Sequence, residues 1–109
     1  MATQTFKDFP AGSGTGSEAA ENPKIYNLEM DEADSEYFQR LSDNTKKIMV
    51  RMRTTSEARM SFKSGDTIVS WITIKPGAVY FDEGLDLTDV RIYLQSSVPS
   101  QVAEILEWT

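Results

Sequence analysis

The feature that most constrains this chain is a strict two-residue period. In Lys47 to Arg53, Ile48, Val50 and Met52 alternate with Lys47, Met49, Arg51 and Arg53, so one phase is apolar and the other largely basic. A helix would scatter those residues around its circumference, whereas a strand sends successive side chains to opposite faces. The segment is therefore expected to be a strand with one buried face. Met60 and Phe62 alternate in the same way with Arg59, Ser61 and Lys63, and Val90, Ile92 and Leu94 with Arg91, Tyr93 and Gln95.

Turn residues separate these runs. Ser64-Gly65-Asp66 closes the second, and Asp82-Glu83-Gly84 ends a short Val79-Tyr80-Phe81 strand. Pro76-Gly77 suits the two central positions of a type II turn, because proline presets φ and glycine accepts the positive φ that follows. Thr67 to Lys75 is rich in β-branched residues and holds Trp71, which suits a central strand. Val102 to Trp108 is expected as the last strand, and Tyr37 to Leu41 as the first. A helical reading of Pro99 to Trp108 is weaker, because Ser100 lacks the acid three residues on that would complete a capping box. Seven short strands separated by turns predict an all-β fold, a small antiparallel sandwich or jelly-roll-like domain, over residues 37–109.

The preceding residues 1–36 read as an extended arm. Small residues from Ala11 to Ser17 favour coil, and before them Phe6-Lys7-Asp8-Phe9-Pro10 forms an aromatic clip. Phe6, Phe9 and Pro10 are the expected partner contacts of such an arm. The remaining domain is small enough for its core to be marginal, and without cysteine or histidine neither a disulfide nor a zinc site can staple it. Oligomerisation or docking on a larger body is the expected substitute.

Charge is distributed in blocks. Residues 1–36 carry eight acids and two bases, residues 37–75 three acids and eight bases, and residues 76–109 six acids and one base, for a net −6. A net acidic chain repels phosphate backbones, so nucleic acid is not an expected partner. Arg51, Arg53, Arg59 and Lys63 occupy the polar phase of two successive strands and are expected to form one positive face, balanced by Glu29 to Glu36 and Asp82 to Asp89. No apolar run is long enough to span a membrane.

Catalytic chemistry finds few supports. The absence of histidine and cysteine leaves carboxylates, serines and lysines. Glu104 and Glu107 lie an odd number of residues apart on one strand and face opposite sides, unlike a paired acid–base dyad. Asp82, Glu83 and Asp86 offer oxygen to calcium, but their spacing is not that of an EF-hand loop, and an acidic hairpin tip is ordinarily just solvated. Neither a metal nor a cofactor is expected. Among the aromatics, Trp71, Phe81 and Trp108 are expected in the core. Tyr80 and Tyr93 fall on the polar phase and are expected at the surface, as contacts for a subunit or a sugar ring.

Thr73-Ile-Lys-Pro-Gly-Ala-Val-Tyr80, Leu85-Asp-Leu87, Arg91-Ile-Tyr-Leu-Gln-Ser96 and Val102-Ala-Glu-Ile-Leu-Glu-Trp-Thr109 together resemble the carboxy-terminal part of small virion structural proteins of tailed bacteriophages. The resemblance spans roughly residues 37–109 and implies a non-enzymatic virion component, made in the host cytoplasm. A chain of this size with an extended arm looks most like a capsid decoration or cement protein, a homo-oligomer attached to the major capsid protein or another virion protein. A carbohydrate- or receptor-binding module, or a neck, tail or fibre component, is the alternative.

Overall fold

The computed structural model describes residues 22–109. Eight strands follow one another: β1 (Lys24–Met30), β2 (Glu36–Arg40), β3 (Thr45–Met52), β4 (Ala58–Ser61), β5 (Ile72–Ile74), β6 (Val79–Leu87), β7 (Arg91–Gln95) and β8 (Gln101–Trp108). They form two antiparallel four-stranded sheets, a long one in the order β1-β8-β3-β6 and a short one in the order β2-β7-β4-β5. Only β4 and β5 are consecutive strands paired in the same sheet; every other connection into the next strand crosses between sheets. That order is the double Greek key of a jelly roll.

The core lies between the sheets and follows the alternation. Ile48, Val50 and Met52 of β3 and Ala103 and Ile105 of β8 meet Ala58 and Met60 of β4 and Ile92 and Leu94 of β7, closed off by Met30, Leu41 and Ile74. The tight turn at residues 75–78 has the expected form, with the Ala78 N–H donating to the Lys75 carbonyl at 2.9 Å and Gly77 at φ 79°. β8, expected as the last strand, lies between β1 and β3.

Three expectations are corrected. The arm does not extend to residue 36, because Lys24–Met30 pairs along its whole length with β8 and Glu36–Arg40 with β7. Its Phe6, Phe9 and Pro10 lie outside the described residues. Thr67 to Lys75 is not a central strand. A 3₁₀ turn over Asp66–Ile68 takes its first part, with Val69 and Ser70 N–H groups donating to the Asp66 carbonyl, and the rest is a three-residue edge strand. Trp71 is consequently 39% exposed. Phe81 is not core either: β6 turns it outward, 47% exposed, and points Tyr80 inward.

Candidate functional site

Side chains on the outer phase of the long sheet line up across all four strands. Register pairs Ile25 with Leu106, Leu106 with Met49, and Met49 with Phe81, so one lateral row is entirely apolar. Directly opposed residues in such a ladder sit about 4.5–5.5 Å apart at Cβ, close enough for the row to be one continuous surface. Its two ends, Ile25 and Phe81, are exposed, and so is Val79 beside it.

Polar rows flank this band. On one side Asn27, Glu104, Arg51 and Val79 are aligned. Glu104 receives Arg51 Nε at 2.7 Å and Arg53 Nε at 3.0 Å, while Arg53 Nη2 reaches Asn27 at 2.8 Å. Arg53 and Arg51 hold the Glu104 carboxyl below its usual range. On the other side Trp108, Lys47 and Glu83 are aligned, with the Lys47 ammonium 4.7 Å from the Trp108 ring centre. Trp108, expected in the core, is half-buried on this outer face because its odd spacing from Ile105 places it on the opposite phase.

The expected single positive face does not exist. β3 and β4 lie in different sheets, so Arg51 and Arg53 are separated from Arg59 and Lys63. Arg59 stacks on Trp71, its guanidinium carbon 4.2 Å from the ring centre, and Lys63 is exposed just beyond β4. Both tyrosines are half-buried. Tyr93 packs on Phe38 at 5.8 Å between ring centres, and the Tyr80 hydroxyl donates to Asp82 at 3.3 Å. Desolvation and the neighbouring Asp82 push the Tyr80 phenol up. Phe62, Tyr80 and Tyr93 together line a cleft of about 390 Å³, with Ile48, Leu87, Val90, Asp82, Asp89 and Arg91. Sequence reasoning placed both tyrosines at the surface but had no signal that the sandwich would bring them to one cleft.

The acids of the β6 hairpin are dispersed. Asp82 takes the Tyr80 hydroxyl, and Asp86 the Lys46 ammonium at 2.9 Å. Among the described residues no three acidic side chains converge as metal ligands. Glu104 and Glu107 do face opposite ways: the first lies in the arginine network, and the second is buried, accepting the Ser42 N–H at 2.9 Å.

Glu36 anchors the 3₁₀ turn to β2. Burial raises its pKa, but hydrogen bonds from the Thr67 hydroxyl at 2.7 Å and from the Gly65 and Thr67 backbone outweigh that and lower it from 4.5. A carboxylate with a depressed folded pKa stabilises the fold above its unfolded pKa, and the contribution is lost as pH falls through the folded value. Glu36→Gln is therefore expected to destabilise by about 1 kcal/mol at neutral pH, modest because the site is partly exposed. The gap from wild type should close as the pH is lowered below 4.5 in urea unfolding. A gap that is constant with pH would mean the charge contributes nothing.

Fold and face together define a small jelly-roll protein with an apolar exterior band. The chain is similar to the solution NMR structure of a de novo designed double-stranded beta-helix, at 15% identity and a TM-score of 0.53, covering 77% of this chain and 96% of that one. That likeness concerns the fold. No family model and no curated protein matches the chain.

Proposed function

We propose that this chain is a non-enzymatic structural protein of a virion, a capsid decoration or cement protein whose jelly roll joins neighbours and whose residues 1–21 reach the major capsid protein or another shell component. The observation that carries the reading is the apolar row Ile25-Leu106-Met49-Phe81 across the exterior of the long sheet. An exposed apolar band edged by charged rows is the anatomy of a protein–protein contact, with an apolar centre and a polar rim. The bases fit this better than nucleic-acid binding, since Glu104 engages Arg51 and Arg53, and Arg59 lies on Trp71. Phe6, Phe9 and Pro10 would supply the shell contact, and several copies of such an arm add avidity.

The test is a copy count in purified particles by quantitative mass spectrometry. A decoration protein is expected in hundreds of copies. A handful would move it to the neck, tail or fibre, and absence from the particle would overturn the virion reading.

The cleft bordered by Phe62, Tyr80 and Tyr93 favours a second reading, a carbohydrate-binding module. Aromatic faces with carboxylates and an arginine nearby suit a sugar's apolar face and hydroxyls. Retention of the wild type on an immobilised polysaccharide, lost in Tyr80→Ala, would promote it.

A further inference from the structure

We propose that the outer face of the long sheet pairs with the same face of a second copy about a two-fold axis parallel to the strands, running between β8 and β3. This rests on the reading of that face as an assembly surface, and names its occupant. The strand order β1-β8-β3-β6 makes such an axis exchange β1 with β6 and β8 with β3. In the apolar row, Ile25 of each copy then meets Phe81 of the other, and Leu106 meets Met49. One row along, Glu104 meets Arg51 of the other copy and Asn27 meets Val79. On the opposite flank, Trp108 meets Lys47. Every contact occurs twice, as an isologous interface requires.

Charge selects this axis over its alternative. Rotation about the apolar row itself would also stack apolar on apolar, but it would lay Arg51 over Lys47 of the other copy, like charge on like. The strand-parallel axis instead gives Glu104 a third arginine. Stacked sheets keep their strands within about 30° of alignment, so the pairings hold best near the axis, where Leu106, Met49, Glu104 and Arg51 lie.

Size is consistent with a reversible dimer. Four strands at about 4.8 Å spacing and some eight residues at about 3.3 Å give a face of roughly 500 Å² in projection, near the lower end for a specific interface. The axis also has a functional consequence. Because it runs along the strands, both copies of β1 begin at the same end of the dimer, at opposite edges. Both chains therefore enter the described fold at the same end of the dimer, which suits bivalent attachment to a single surface.

Sedimentation of the full chain tests the pairing. Wild type is expected to show a concentration-dependent species of twice the 12.3 kDa chain mass. Phe81→Glu should weaken it by roughly a hundredfold or more while leaving the melting transition in place, since the side chain is exposed. A crosslinking experiment keeps the proposal testable if that variant misfolds. Chains carrying only Ile25→Cys are mixed with chains carrying only Phe81→Cys and treated with a short bis-maleimide. The native chain has no cysteine, so any product reports these positions alone.

The mixture should yield a covalent dimer and neither variant alone should, because each position is offset from its own twin by roughly 14 Å along the sheet, three strand spacings, on top of the separation of the two faces. A wild-type monomer at all accessible concentrations, or crosslinking of a single variant with itself, overturns the arrangement. Loss of the dimer in Phe6→Ala/Phe9→Ala but not in Phe81→Glu would assign self-association to residues 1–21 rather than to this face, and overturn it too. Self-association is read on the isolated chain and copy number on particles, so this proposal and the virion reading fail separately.

Discussion

Ile105→Ala is expected to cost the fold about 3–4 kcal/mol, a large part of the 5–15 kcal/mol that holds a small domain together. Ile105 is fully buried on β8, with β1 on one side and β3 on the other, and faces the core cluster. Removing three carbons there leaves a cavity walled by two sheets that register fixes in place, so little of it can collapse. Trp71→Ala makes the contrast. Its ring is larger, but it lies 39% exposed after the 3₁₀ turn, and its main identified contact is the Arg59 guanidinium. An exposed cation–π contact is worth about 0.5–1 kcal/mol, and the partly buried ring adds about 1–2 kcal/mol, still below the cost at Ile105. Urea midpoints at unchanged m-value measure both. Equal costs for the two variants would mean that Trp71 is part of the core after all.

The alternation that identified β3, β4 and β7 was legible because each sets an apolar phase against a largely polar one. β1 carried the same signal, with Tyr26, Leu28 and Met30 inward and Ile25, Asn27 and Glu29 outward. It was hidden by its position between a glycine-serine run and an acidic run, which together read as coil. Thr67 to Lys75 misled in the other direction. β-branched composition marks residues that fit a pleated surface, but Gly65 at φ 86° and the turn after it spend the backbone hydrogen bonds locally.

The candidate face was less legible than the fold. Period gives each strand its phase, but not the sheet it joins. Arg51 and Arg59 are both on a polar phase, and only the crossover between β3 and β4 separates them. Val79-Tyr80-Phe81 is apolar apart from one hydroxyl, so the phase rested on Tyr80, which read as outward, and Phe81 was assigned to the core. The apolar row itself takes one residue from each of four strands far apart in sequence. Pairing register, which no local pattern encodes, brings them together.

Glu107 is the other position where a large effect is expected, and there two substitutions should diverge. It ends the inner row of β8, only 1% exposed, with Oε1 accepting the Ser42 N–H at 2.9 Å and Oε2 without a hydrogen-bond partner. Glu107→Ala opens a cavity and leaves the Ser42 N–H without its acceptor, a loss of about 3 kcal/mol from the two effects together. For a domain of this size that lowers the melting temperature by roughly 12–24 °C. Glu107→Gln keeps the side chain's volume and a carbonyl oxygen for Ser42, and changes only the unpartnered Oε2 position to an amide nitrogen, so its melting temperature should stay within about 5 °C of wild type or rise. Lys24 stands opposite Glu107 in the β1–β8 register and borders the same surface pocket, together with Asp43 and Asn44. If Gln is as damaging as Ala, the negative charge itself is needed at this end of the sandwich, and Lys24→Met should then reproduce the loss. If Gln is silent and Ala is not, Glu107 acts as a buried acceptor that fastens the loop between β2 and β3 to the last strand.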